Sequence, residues 1–268
     1  MEGGHRPKKS LGQNFLMHPQ IGERIVKEAR LAPNIPVLEI GPGTGLLTRA
    51  LLAAGHPVIA VEADAELVER LQETFATEIA AGKLTLVHAD VRAFNTATLP
   101  ESYSLVANIP YYITGEIIRT FLTNTHKPRS MTLLVQKEVA ERIARTDPKK
   151  PKESLLSLSV KVYGTPRYCF MVPRGAFMPA PNVDSAVISI DDIRTDAFEN
   201  PASEQFFFDL LHAGFAHKRK LLKGNLLTLA EPDQLTDAFR NAGIPEKARS
   251  EDLSLDDWRR LASDLLPK

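Results

Sequence analysis

A single cysteine, Cys169, among 268 residues excludes an internal disulfide and fits a reducing, cytoplasmic setting. The residues around it, Tyr168-Cys-Phe-Met-Val172, read as a buried strand, so a packed and inert thiol is expected. No apolar run is long enough to span a bilayer. The N-terminal stretch MEGGHRPKKSLGQNFL carries charge but lacks the apolar centre of a secretory signal. No membrane partner is expected. Net charge is missing too: 33 basic side chains face 33 acidic ones, so bulk electrostatics do not announce a nucleic-acid partner. Hydrophobic content of 43% and charged content of 25% are those of an ordinary globular chain.

Distribution says more than the sum. Residues 1–194 hold 23 basic and 20 acidic side chains, leaving 10 and 13 for residues 195–268. Inside that acidic tail sits a basic knot, His217-Lys218-Arg219-Lys220 with Lys223. Two further basic stretches are Arg6-Pro-Lys-Lys9 and Lys149-Lys-Pro-Lys152. A charge run is usually a solvated face, so each is only a candidate for phosphate contact.

The first two thirds alternate short apolar runs with helical spacing. Strands are expected at 37–40, 57–61, 84–87, 104–107 and 131–136. Helices are expected over 46–54, 65–81, 116–124 and 137–145. Such alternation implies a parallel, doubly wound, Rossmann-like sheet. Residues 167–172 and 185–190 then read as an antiparallel pair at one sheet edge. Beyond residue 193 no strand signal remains, and 201–229, 232–242 and 254–266 read as helices, with Ser254 a good N-cap. The expected division is an α/β domain over 1–193 and a small all-helical domain over 194–268.

Val37-Leu-Glu-Ile-Gly-Pro-Gly-Thr-Gly45 is a strand running into a glycine-rich turn. Gly41 and Gly43 let the backbone approach a ligand at the strand's carboxyl end. The spacing is G-x-G-x-G, not the dinucleotide G-x-G-x-x-G, whose third glycine would fall at Leu46. About 20 residues on, Glu62 ends the next strand, where a carboxylate accepts hydrogen bonds from ribose hydroxyls. Asp90 closes the third strand at the same rim, suited to the amino group of an adenine. A nucleoside held by ribose and base, without a phosphate loop, suggests S-adenosylmethionine. Each acid singly is as well explained as a helix-start residue; the set is not.

Asn108-Ile-Pro-Tyr111 ends the fourth strand and is expected to face that cofactor. An exocyclic aromatic amine is a poor nucleophile, because its lone pair is delocalised into the ring. The Asn108 side-chain carbonyl and a main-chain carbonyl at Ile109 or Pro110 can accept both amine hydrogens and aim the lone pair. Pro110 stiffens the backbone, and Tyr111 offers a face for a flipped base. Methyl transfer is then an in-line displacement governed by orientation, with no call for a metal or a strong general base. A proline turn with a packed tyrosine explains Pro110 and Tyr111 alone, but not Asn108 opposite a glycine-rich loop. Tyr112 has no evident role beyond packing.

These motifs resemble, in order and nearly end to end, the ribosomal RNA small-subunit adenine dimethyltransferases of the KsgA type. KKSLGQNFL, EIGPGTGLLT, NIPYYIT, FMPAPNVDSAV, GFAHKRKLLKGNL and ARSEDLSLDDW carry the likeness. The resemblance implies a class I methyltransferase sheet. It also implies that Asn14 and Leu16 close over the cofactor, with Gly41, Glu62, Asp90 and Asn108 binding it. Tyr111 and Phe177 would sandwich the target adenine. The implied activity is dimethylation of two adjacent adenosines near the 3′ end of small-subunit rRNA, as RNA or pre-ribosomal subunit. The C-terminal helical domain would help to grip that RNA, giving Lys218, Arg219, Lys220 and Lys223 a purpose, and a monomer is expected. Departures from the family pattern are KESLLSLSV at 152–160 and His217-Lys-Arg-Lys220 where paired arginines are more usual, exchanging a bidentate phosphate contact for a point charge. The alternatives are a large-subunit erythromycin-resistance methylase, which shares NIPY, and a catalytically idle RNA-binding assembly factor. A DNA adenine methylase usually has Pro-Pro-Tyr, and glycine spacing disfavours a dehydrogenase.

Overall fold

The computed structural model describes residue 8, residues 12–144 and residues 152–266. The stretch Arg6–Lys9 (apart from Lys8), residues 9–11 of KKSLGQNFL, and residues 145–151, which include all of the second basic stretch but Lys152, lie outside the described residues. The chain divides into two compact units: Met1–Ala140 with Gly164–Ile193, and Glu141–Tyr163 with Arg194–Lys268. Among the described residues no helix is long and apolar enough to cross a membrane.

Among the described residues the first unit contains nine strands: β1 (Phe15–Leu16), β2 (Val37–Ile40), β3 (Val58–Glu62), β4 (Leu84–His88), β5 (Ser104–Asn108), β6 (Met131–Gln136), β7 (Thr165–Val172), β8 (Phe177–Met178) and β9 (Ser185–Asp191). Seven of them form one sheet in the order β4-β3-β2-β5-β6-β9-β7. The first five run parallel, while β9 is antiparallel to both β6 and β7. Strands β2, β5 and β6 are buried almost throughout, as expected where helices cover both faces. Strand order reverses beside β2, so a crevice opens at the carboxyl ends of β2 and β5.

Helices α1 (Pro19–Ala29), α2 (Leu46–Ala53), α3 (Ala65–Thr74), α4 (Ala76–Ala80) and α5 (Thr114–Thr123) flank the sheet, and α6 (Lys137–Ala144) follows β6. Helix α1 starts on Pro19 and closes on Arg30 in the left-handed region, φ 47°. The helix expected over 65–81 is broken at Phe75, φ −115° and ψ 27°. The Phe75 ring is buried beneath the glycine turn, so tertiary packing overrides local helix propensity. Strands β1 and β8, two residues each, pair antiparallel with Leu16 opposite Phe177; neither was foreseen, since two residues carry no periodicity.

Cys169 sits at an irregularity in β7 between Tyr168 and Phe170 and is half-buried rather than fully packed. Burial pushes its thiol pKa up, against the pull of Arg167, whose Nη1 lies 3.3 Å from Sγ. The thiolate is thus disfavoured.

The second unit is helical: α7 (Leu155–Lys161), α8 (Pro201–Phe215), α9 (Leu222–Leu226), α10 (Pro232–Ala242) and α11 (Leu255–Leu265). Helix α7 went unforeseen; Ser154 caps it in a reciprocal pair with Ser157. The buried Glu153 carboxylate accepts from Ser157 Oγ (2.7 Å) and Lys161 Nζ (2.8 Å). The helix expected over 201–229 is two helices. The Asn225 side-chain amide donates to the carbonyls of Gly214 (2.6 Å) and His217 (3.2 Å), folding the chain back at residues 216–221. Trp258, fully buried, stacks on Phe215 at 5.7 Å. Ser254 caps α11 through the Asp257 N–H, 3.2 Å.

Candidate active site

A cavity that opens to solvent, about 1100 Å³ with the space at its mouth, lies at the carboxyl ends of β2, β3, β4 and β5. One wall is the turn after β2. Gly41 and Gly43 have φ of 65° and 59°, which only glycine adopts cheaply. A Cβ at Gly41 would meet nothing nearer than the Asn108 carbonyl at 4.0 Å. The turn and the end of β5 thus face one another across open space.

Glu62 ends β3 with a carboxylate that organises this wall. Its Oε2 accepts the Gly43 N–H at 3.1 Å, and its Oε1 accepts those of Ala63 (2.9 Å) and Asp64 (3.0 Å). Burial raises its pKa, while these three bonds oppose the shift. A carboxylate offers about four acceptor positions, so Oε2 retains capacity for a ligand hydroxyl. Asp90 also lines the cavity, but it is already engaged. Arg92 donates from Nε (3.0 Å) and Nη2 (2.5 Å) to its two oxygens, holding the carboxyl below its ordinary range. Asp90 further caps the turn Val91–Ala93.

The opposite wall is Asn108 to Tyr111. The Asn108 Nδ2 donates to the Asn14 carbonyl at 3.3 Å, which leaves Oδ1 as the group free to accept. The Pro110 carbonyl accepts from the Ile113 N–H at 3.2 Å, closing a single 3₁₀ turn over Tyr111–Ile113. Tyr111 is half-buried, its hydroxyl 2.5 Å from Ser185 Oγ at the start of β9; burial raises its pKa.

Residues 12–16 lie along the cavity. Asn14 and Leu16 both line it. The segment is tied down at Asp64, which accepts from Lys8 Nζ (2.6 Å) and Gln13 Nε2 (3.1 Å). Burial works against the Asp64 carboxylate, yet these two donors outweigh it and hold its pKa low. Lys8, one of the basic residues picked out as a phosphate candidate, is therefore spent on an internal ion pair. Phe177 is different from the other predicted residues: only 4% exposed, it packs in the core beside Leu16 and, of the described residues, falls outside the cavity lining.

Lys218, Arg219 and Lys220 belong to the second unit. They are exposed on the turn between α8 and α9, not on a helix. Lys223 is half-buried in α9 and donates to Thr236 Oγ1 at 2.9 Å, with Glu246 at 3.7 Å.

Glu39 joins the site without having been among the residues expected there. Its carboxyl is 1% exposed and lines the cavity. Oε2 accepts from Thr48 Oγ1 at 2.7 Å, while Oε1 has no partner. Burial pushes its pKa up to about 8, opposed by Thr48 and assisted by the Glu62 charge. An acid inside the apolar run Val37–Ile40 was the available signal. The folded state therefore holds a proton that the unfolded chain releases above about 4.5. This carboxyl's contribution to stability is full below that pH and is lost as pH rises toward 8, by up to about 1.4 kcal/mol per unit for one proton. Glu62 acts in the same direction. In Glu39→Gln, thermal melts from pH 5 to 8 should show most of that slope removed; an unchanged slope would refute the buried proton.

Comparison with known proteins agrees with this geometry. The family model described as Ribosomal RNA adenine dimethylase matches residues 4–265. A protein named ribosomal RNA small subunit methyltransferase A from Dehalococcoides mccartyi is 40% identical, covering 96% of this chain and 87% of its own. The protein of that name from Anoxybacillus flavithermus is 37% identical, covering 97% and 90%. Among solved structures, a dimethyladenosine transferase from Plasmodium falciparum has a TM-score of 0.77 at 25% identity, covering 92% of this chain and 95% of that one. The 23S rRNA methyltransferase ErmE has 0.75 at 28%, covering 94% and 99%. The seven-stranded sheet, the paired walls of the cavity and the match over nearly the whole length lead to one assignment: this chain belongs to the ribosomal RNA adenine dimethylase family.

Proposed function

We propose that the chain transfers methyl groups from S-adenosylmethionine to the exocyclic amines of two adjacent adenosines near the 3′ end of small-subunit ribosomal RNA. The observation that carries this reading is the opposition of two walls across one cavity, a glycine turn organised by Glu62 and the Asn108–Tyr111 strand end. The small-subunit names of relatives at 37–40% identity support the choice of RNA.

The residues present suit the cofactor. The spare acceptor capacity of Glu62 fits ribose hydroxyls, and Asp90, shared with Arg92, fits an adenine amine. The open space at Gly41 admits a ligand, with Gly43 beside it holding Glu62 in place. Asn14 and Leu16 would cover the ligand. When bound, S-adenosylmethionine supplies an electrophilic methyl group. Asn108 Oδ1 then accepts one hydrogen of the target amine, its orientation set by the bond from Nδ2 to Asn14. Because the Pro110 carbonyl already closes the turn, we assign the second acceptor to Ile109, with Pro110 fixing its direction. Tyr111 stacks the base, held by Ser185. For Phe177 to cover the other face, its buried ring has to turn toward the cavity. The methylated amine is acidic and sheds its proton to water.

The test is to incubate the protein with labelled S-adenosylmethionine and, separately, undermethylated small subunits, large subunits and free RNA. Dimethyladenosine is expected from the small subunit or its RNA. Product on the large subunit alone would favour the erythromycin-resistance activity, and none anywhere would favour an idle assembly factor. Replacing Lys218, Arg219 and Lys220 by alanine should weaken RNA binding and lower the slope of log K against log salt by about 2 to 3. Unchanged affinity and slope would mean that the exposed turn is only solvated.

A further inference from the structure

Tyr112 is the aromatic that the proposed chemistry leaves unused. It follows Tyr111 in a single 3₁₀ turn, where successive side chains diverge by about 120°. The three residues of the turn accordingly go three ways. Ile113 enters the core, Tyr111 lies half-buried toward Ser185, and Tyr112 is 61% exposed at the cavity rim. One edge of its ring lies against Gly12, where a Cβ would fall 3.0 Å from Cε1. Arg92, whose side chain is 52% exposed and paired with Asp90, lines the same cavity. An exposed ring packed along one edge, with a guanidinium on the same cavity rim, suits a stacked nucleobase and its phosphate.

We propose that Tyr112 stacks the nucleoside adjacent to the target in the same RNA strand, with Arg92 near its phosphate. This rests on the function proposed above. If one of two neighbouring adenosines occupies the cavity, the strand leaves its partner at the rim. Tyr111 and Tyr112 then serve consecutive bases, the first holding the reacting adenine and the second parking its neighbour. Tyr112 is a positioning residue here, since it touches no reacting atom.

The test compares the parent, Tyr112→Phe and Tyr112→Leu on undermethylated small subunits with the adenosine pair intact, or with uridine replacing either adenosine. Uridine stacks weakly, and leucine fills space beside Gly12 without a π-face. Tyr112→Leu should raise the KM for intact subunits about tenfold, within the range for one base–aromatic stack, with kcat little changed. Tyr112→Phe should match the parent. On the subunit whose parked base has become uridine, parent and Tyr112→Leu should differ by less than about threefold. The affinity of Tyr112→Leu for S-adenosylmethionine, measured separately, reports the packing against Gly12 and should hold. An equal loss on all three substrates, or no loss on any, overturns the assignment. If the parent itself transfers no methyl group to the intact subunit, the proposed function fails and this assignment with it.

Discussion

Replacing Asn108 by alanine should abolish methyl transfer, lowering kcat by roughly a thousandfold or more while RNA binding stays largely intact. The loss follows from the role proposed for this side chain. A conjugated amine reacts only when its lone pair is withdrawn from the ring and aimed at the methyl carbon, and orientation of this kind carries several kcal/mol of a barrier. Asn108 is oriented by donating Nδ2 to the Asn14 carbonyl at 3.3 Å. Alanine removes both that tie and the acceptor, yet it leaves β5 intact, because Asn108 is the last residue of the strand and only half-buried. Single-turnover transfer with labelled S-adenosylmethionine, beside a filter-binding assay for RNA, separates the two effects. An alanine variant that still methylated at the parent rate would remove the amine-orienting role.

Glu62→Gln should cost about two to three orders of magnitude in affinity for S-adenosylmethionine. The substitution is nearly isosteric, so sterics are not the reason. Both carboxylate oxygens accept backbone N–H groups: Gly43 on one, Ala63 and Asp64 on the other. A glutamine must turn its NH₂ toward one of those two sets, placing donor against donor. An unsatisfied buried donor costs about 1–3 kcal/mol, and a hydrogen bond to a charged acceptor contributes about 1.5–3 kcal/mol. The two losses coincide here, because the Gly43 N–H holds the glycine turn and the same carboxylate would meet the ribose. Titration calorimetry gives the affinity directly. Binding within threefold of the parent would show that Glu62 serves the turn and not the ligand.

The parallel order of β2 to β6 and the antiparallel β9 were legible because continuous apolar runs alternate with amphipathic ones, and because Val37–Ile40 and Ser104–Ala107 are too short and too apolar for surface helices. The Gly41–Gly43 turn, Glu62 and Asp90 were legible together, since a doubly wound sheet delivers every strand's carboxyl end to one crevice. Phe75 was not legible as a helix breaker. Nothing in Leu71–Thr77 announces that its ring belongs beneath Gly45, where a Cβ would fall 2.5 Å from it. The break before the basic knot was hidden likewise, for it depends on Asn225 reaching back to Gly214 and His217.

By itself the sequence determined the seven strands of the main sheet and most of the helices beside them, which strand ends carry polar groups, and the chemical kinds gathered there: glycines, two acids, an amide, a proline and a tyrosine. These follow from local periodicity and backbone preference, which act within a few residues. Only the tertiary structure decided how those groups are spent. It bonded one Glu62 oxygen to Gly43 of the turn and the other to Ala63 and Asp64, paired Asp90 with Arg92 and left a Glu39 oxygen without a partner. It also tied Lys8 to Asp64 across 56 residues, buried Phe177 against the core and turned Tyr112 outward. Each of these is set by contacts between segments distant in the chain, where burial decides whether a carboxylate is charged, bonded or waiting for a ligand.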